Sequence, residues 1–202
     1  MVAPGRGTQN EEPGRLSGFG RLGVFRPPQN KYYVRETGQQ TTIESEDLPS
    51  ASTTLYFQEC DNMEYIINST CTRIKIEECR NTRFIFSGKV LTQTIEIWRS
   101  QDLDLQFGVQ IQTLQLDHSN RVQLNFDTWE HFYSLVWVDS DQLSLSFRDN
   151  DTLSFHTGIG KIREERPELD PSVNQFIVKL EGEHFTTEAV RREIGGYLNE
   201  NR

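Results

Sequence analysis

The chain has 202 residues, a formal charge of −9 and a mean hydropathy of −0.63, a length that suits one moderate domain with a loose end. The acidic balance and the lack of a continuous basic stripe argue against nucleic acid as the main ligand, and no apolar run approaches membrane-spanning length or forms a signal-peptide core. Three cysteines, Cys60, Cys71 and Cys79, do not make a secreted disulfide framework, so the sequons at Asn68 and Asn150 carry little weight and a cytoplasmic setting is expected.

Residues 1–30 hold six Gly, four Pro and four Arg with few bulky apolar groups. They cannot bury enough surface to offset the entropy of ordering, so a flexible tail is expected there, its Arg6, Arg15, Arg21 and Arg26 available to an acidic partner. From Leu55 onward the chain changes character. A thirteen-residue frame begins at Leu55, Ile74, Ile95, Leu114 and Leu135, at alternating steps of 19 and 21 residues. Its first and third positions are Leu55/Phe57, Ile74/Ile76, Ile95/Ile97, Leu114/Leu116 and Leu135/Trp137; its eleventh and thirteenth are Tyr65/Ile67, Phe84/Phe86, Leu105/Phe107, Leu124/Phe126 and Leu145/Phe147. Period-two apolar spacing recurring near every twenty residues predicts stacked coils, with each pair forming one rung of an inward ladder. Cys60, Cys79, Ser100, Ser119 and Ser140 hold the sixth position, where small residues suit a tight corner. Asn62, Asn81, Asp102 and Asn120 are expected to hydrogen-bond the turning backbone. Stretches such as Gly88 to Thr92 and Gly108 to Gln112 would supply a third side, giving about three short strands per coil. The resulting fold class is all-β, a right-handed parallel β-helix over residues 31–172. The competing reading is a β-sandwich of hairpins, which does not require ladder residues to recur in register.

Candidate chemistry along the coils is thin. Cys60 and Cys79 should stack in adjacent coils as reduced corner residues; spacings for zinc are absent, and no cofactor is implied. Asp117, His118 and Ser119 name a triad, yet neighbours in a strand point to opposite faces and cannot assemble one. Trp98 occupies an outward position beside Arg99, which suits either a protein contact or a seat against the N-terminal segment. Trp129, Phe132 and Tyr133 fall between frames and are expected to include core residues of the third side. Gly158, Gly160 and Lys161 are predicted to form a turn with no helix after it, since the spacing is not that of a phosphate-binding loop. GKIREERPELDP then reads as an irregular crossing limited by Pro167 and Pro171. NQFIVKL and HFTTEAV read as a hairpin turning at Glu181, Gly182 and Glu183. This element, within residues 173–202, would cover the open end of a coil stack, its own or a partner's. VRREIGGYL has the makings of a short final helix.

The run from Thr53 to Phe126, with its frames LYFQECDNMEYII, IKIEECRNTRFIF, IEIWRSQDLDLQF and LQLDHSNRVQLNF, resembles the C-terminal domain of adenylyl cyclase-associated proteins. That domain belongs to a superfamily shared with tubulin-folding cofactor C. Lys31-Tyr32-Tyr33-Val34 resembles its first strand, and Gln175-Phe176, Gly182 and Thr186-Thr187 resemble its C-terminal hairpin. The resemblance implies a β-helix that dimerises through the hairpin, binds monomeric actin, and promotes exchange of its nucleotide in the cytoskeleton without chemistry of its own. Carried onto this chain, the contact face combines Lys75, Arg80, Arg83, Lys89, Trp98 and Arg99, and Phe176, Val178 and Phe185 serve the homodimer. Glu59, Glu77 and Glu78 make the first coils more acidic than is usual for such domains. The alternative is a non-catalytic cytoskeletal, centrosomal or ciliary adaptor. A further alternative is GTPase activation as in the cofactor branch, whose Gln-x-Arg finger is replaced in IQTLQLDH by Gln115.

Overall fold

The computed structural model describes residues 29–191. The chain alternates between two sheets, laying one strand on each per coil. One sheet runs β1 (Gln29–Val34), β3 (Thr53–Gln58), β5 (Arg73–Glu77), β7 (Thr94–Trp98), β9 (Ile111–Asp117), β11 (Phe132–Val138), β14 (Asn174–Glu181) and β15 (His184–Arg191). The other runs β2 (Gln40–Ile43), β4 (Glu64–Ile67), β6 (Arg80–Phe86), β8 (Gln101–Phe107), β10 (Asn120–Phe126), β12 (Asp141–Phe147) and β13 (Ser154–Thr157). The first six strands of each sheet pair in parallel, which makes a two-sheeted parallel β-solenoid with a C-terminal hairpin.

The ladders pair in register. Leu55, Ile74, Ile95, Leu114 and Leu135 face one another in the first sheet, and Ile67, Phe86, Phe107, Phe126 and Phe147 in the second. All are essentially buried, and the rings of Phe86, Phe107 and Phe126 stack with centroids 5.1 and 4.4 Å apart, close to the spacing of neighbouring strands. Met63, Thr82, Leu103, Val122 and Leu143, at the ninth frame position, are buried too and add a rung that the frame's apolar pattern leaves unmarked because Thr82 interrupts it. Lys31 to Ile43 forms a sixth instance of the frame, with Lys31 paired to Leu55 and Ile43 to Ile67. Lys31 and Thr41 stand where the other coils have apolar residues, and an insertion around Leu48 lengthens the step.

Each coil carries two strands, not three. The segments expected to form a third side are short connections, joined from coil to coil by backbone bonds such as Leu91 N–H to the Cys71 carbonyl at 2.8 Å and by an isolated bridge between Cys71 and Val90, and Ile111 and Gln112 already belong to β9. These connections are too short to hold a strand plus its own corners. Where two of them stack, Gly88 fills a place closed to any other residue: a Cβ there would lie 2.0 Å from the Ser69 carbonyl oxygen. Of the inter-frame aromatics, Phe132 is buried, but Trp129 and Tyr133 are 46% and 60% exposed, since the turn puts only one of the three over the core.

The C-terminal end is closed by reversal of chain direction. β13 pairs antiparallel with β12, and β14 with β11; Phe176 and Val178 are fully buried, with the Phe176 ring stacked 4.3 Å from Trp137. Phe185 packs among Phe132, Phe147 and Phe155. The hairpin turn starts at Gly182, whose φ of 65° belongs to the left-handed region. Between β13 and β14 the structure departs from the expected turn and irregular crossing: Ile159–Glu165 is a helix, α1. Its Ile162 is buried against the end of the core, and the Gly160 amide donates to Asp141 Oδ1 at 3.0 Å, so the anchoring comes from another coil and leaves no mark in the local spacing. No described helix is long and apolar enough to cross a membrane. The final segment after Arg191, read as a short helix, lies outside the described residues, as does the tail before Gln29.

Inside the corner, the sixth-position side chains form a hydrogen-bonded file. Ser119 Oγ donates to the Asp117 carbonyl at 3.0 Å and accepts from the Ser100 amide at 3.2 Å; the Ser119 amide in turn donates to Ser140 Oγ at 3.0 Å. The Cys79 amide donates to Ser100 Oγ in the same way. Ser119→Ala leaves the buried Ser100 N–H without this acceptor and is expected to lower stability by about 1–3 kcal/mol, whereas Ser144→Ala, on the outer face of β12, is expected to stay within about 0.5 kcal/mol of the parent. Urea denaturation of both variants checks this, and equal losses would remove the file from the account.

Candidate functional site

The turning backbone, not an enclosed cavity, organises the surface. In all six coils the fifth and eighth frame positions have left-handed φ: Arg35/Gly38, Glu59/Asn62, Glu78/Asn81, Arg99/Asp102, His118/Arg121 and Asp139/Gln142. Asn120 is not among them; in its coil the left-handed residue is Arg121, one position later. Only Gly, Asn and Asp adopt this region readily, and the others are strained. Their side chains point outward and pair between coils. Arg35 Nε lies 2.8 Å from Glu59, Arg99 Nε 2.9 Å from Glu78, and His118 Nδ1 2.8 Å from Asp139. Arg99 also contacts Glu77, and Arg121 donates to Asp102 Oδ2 at 2.8 Å. The Arg121 guanidinium, helped by Gln101, holds the Asp102 carboxyl down at about 2.

On the outer face of the first sheet, side chains stack up the strands. Tyr32 and Tyr56 stack with centroids 4.8 Å apart. The Lys75 ammonium sits 5.8 Å from the Tyr56 ring and 4.9 Å from the Trp98 ring, within range of cation–π attraction, and also 3.2 Å from Glu96. Tyr32 is 55% exposed, and Trp98 is half-buried beside the corner that carries Arg99.

The six basic and aromatic candidates therefore do not form one patch. Lys75, Trp98 and Arg99 share the outer face of the first sheet and its adjoining corner. Arg80 opens β6 just past that corner and has no ion pair among the described residues. Arg83 lies on the outer face of the second sheet, held between Glu64 at 3.4 Å and Asp104 at 3.3 Å. Lys89 is on the exposed turn beyond the far end of β6. Sequence spacing placed these charges in neighbouring coils but not on a side of the coil. The signal that was missed is the row formed by the second frame position, which brings Tyr32 and Tyr56 beside Lys75. Phe176, Val178 and Phe185 pack within the chain's own cap.

Asp117, His118 and Ser119 do point apart: His118 pairs outward with Asp139, while Ser119 is buried in the corner file. Cys60 and Cys79 are free, buried neighbours. Cys79 Sγ donates to the Glu77 carbonyl at 3.5 Å; the neighbouring Cys60 thiol and burial together raise the Cys79 thiol, and burial alone pushes Cys71 up to about 12. The Tyr65 hydroxyl lies 3.2 Å from Cys60 Sγ and 2.9 Å from Glu36.

Because the Asp102 carboxyl lies below the ordinary carboxylate value of about 3.9, its pairing stabilises the fold above that value and is lost as pH falls through about 2. Arg121→Gln is expected to return the Asp102 titration towards the ordinary value, as followed by carboxyl NMR; an unmoved midpoint would assign the shift to Gln101 instead.

Residues 23–155 match the sequence model of the family described as adenylate cyclase associated (CAP) C terminal. The fold is similar to the crystal structure of cyclase-associated protein from Cryptosporidium parvum, with a TM-score of 0.54 and 18% identity over 83% of this chain and 96% of that one. No curated protein matches the sequence.

Proposed function

Because the chain belongs to the family of adenylate cyclase-associated protein C-terminal domains, we propose that it binds monomeric actin and promotes exchange of the bound nucleotide. The family match over residues 23–155 carries this reading. The protein acts without bond-making chemistry: it binds an open nucleotide cleft more tightly than a closed one, and shifts the population by that difference alone. The contact surface is the outer face of the first sheet with its corner, where Trp98, Lys75 and Arg99 meet; a half-buried aromatic flanked by cations is the kind of residue on which binding energy concentrates. Arg80 extends this surface past the corner, whereas Arg83 and Lys89 contribute to it little. The setting is the cytoplasmic actin cytoskeleton.

The homodimer forms by exchange of the β14–β15 hairpin, so that Phe176, Val178 and Phe185 fill the partner's cap as they fill their own. A non-catalytic adaptor is the second reading, favoured by one observation: Arg35 and Arg99 are already engaged by Glu59, Glu77 and Glu78, which leaves less free positive charge for an acidic partner. GTPase activation has Gln115 where the arginine finger belongs.

Release of a fluorescent ATP analogue from monomeric actin should accelerate as the protein is titrated in, and Trp98→Ala should weaken the effect by about tenfold or more while Arg83→Gln leaves it near the parent. An unchanged release rate with no detectable binding would favour the adaptor. Light scattering should give twice the chain mass, reduced to one chain by deletion of residues 173–202; a mass unaffected by the deletion would place the dimer contact elsewhere.

A further inference from the structure

The aromatic row on the first sheet is unfinished at one end. Tyr56 lies between the Tyr32 ring and the Lys75 ammonium, whereas Tyr32 stacks on Tyr56 on one side and has no strand beyond it on the other among the described residues, because β1 is the first strand of the sheet. Val34, on the same face of β1, is 43% exposed. The next rung would have to come from chain that precedes Gln29.

That chain has the chemistry the row accepts. Residues 1–28 hold four Arg and two Glu, with no Lys or Asp, a net charge of +2 against −9 for the whole protein. Phe19, Phe25, Leu16 and Leu22 are interleaved with Arg15, Arg21 and Arg26. A guanidinium stacks flat on an aromatic face, and the row offers the uncovered face of Tyr32, 55% exposed, on a protein whose overall charge is −9. The segment is covalently joined to β1 only three residues before Tyr32, which gives it an effective concentration near the row of order millimolar. The outer face of the second sheet has no comparable row: Arg83 there is held between Glu64 and Asp104, and its exposed positions carry no aromatic ring.

We propose that residues 1–28 dock in cis on the outer face of the first sheet, with arginine side chains continuing the row Tyr32–Tyr56–Lys75, beside which Trp98 lies. Docking itself requires nothing of actin. Its consequence, that the tail and an actin monomer compete for one face, rests on the function proposed above.

The test uses the full chain and leaves actin out, so a failure of docking is distinct from a failure of the actin reading. All three native cysteines are buried, so a maleimide nitroxide added to Ser17→Cys labels the tail alone. Paramagnetic broadening is then read by NMR against the chemically reduced label. The expected result is a several-fold loss of the Trp98 indole N–H peak and of the Tyr32 and Tyr56 amide peaks, independent of protein concentration, with Ile85 and Asn125 on the second sheet unaffected. Reversing Arg15, Arg21 and Arg26 to Glu should restore the lost peaks. Broadening that grows with concentration would transfer the contact to a second copy and overturn the proposal. Equal broadening on both sheets, no broadening, or broadening that survives the charge reversal would overturn it as well.

Discussion

Parallel pairing in strict register is the constraint from which the rest follows. In an antiparallel hairpin a residue meets a partner of unrelated position, but here every residue lies on its own equivalent one coil away. A side chain must therefore tolerate a neighbour of its own kind at the spacing of strands. Aromatic rings meet this by stacking, as Phe86, Phe107 and Phe126 do; hydroxyls meet it by forming a file in which each donates and accepts. Side chains at the fifth position meet it by pairing two by two between coils. Arg35 over Glu59, Glu78 under Arg99 and His118 under Asp139 satisfy the same rule on the outside of the corner.

The corner shows what the constraint costs. Two residues per coil are forced into a left-handed backbone, and many are Arg, Glu, His or Gln, which do not favour it. Each such residue costs roughly 1–2 kcal/mol. The geometry persists because the corner amides bond from coil to coil: Glu78 N donates to Trp98 O, Arg99 N to Asp117 O, and His118 N to Val138 O, all at 2.9–3.0 Å. Relaxing one corner would orphan hydrogen bonds in two neighbours.

How much of this was legible follows from the same physics. The coils could be read because inward residues repeat where the core demands it, and Leu55, Ile74, Ile95 and Leu114 show the period without interruption. The frame does not show in the first coil, whose opening Lys31-Tyr32-Tyr33-Val34 only the family resemblance marked, because Lys31 and Thr41 sit where the stack ends and the core no longer demands an apolar side chain. The corner backbone was half legible: Asn62, Asn81 and Asp102 announce a left-handed turn, whereas Arg99, His118 and Arg121 adopt it only because their neighbours do. Helix α1 was hidden because its anchor, Asp141, belongs to another coil. The candidate contact face was the least legible part. Frame position tells which residues point outward, but Arg83 and Trp98 both do, and only the division of the coil into two sheets separates them.

The two edges of the solenoid differ in their freedom to change length. At the corner, the thirteen-residue frame holds its length through every coil, and one added residue would turn a whole sheet inside out. The opposite edge already accepts connections from three residues, between Phe107 and Ile111, to nine, between Ile43 and Thr53, without any shift of register. One edge thus behaves as a fixed spine and the other as an open margin. Foreign segments grafted into that margin would be carried at strand-spaced intervals along a rigid rod, which makes the fold a ruled scaffold for presenting loops at set separations.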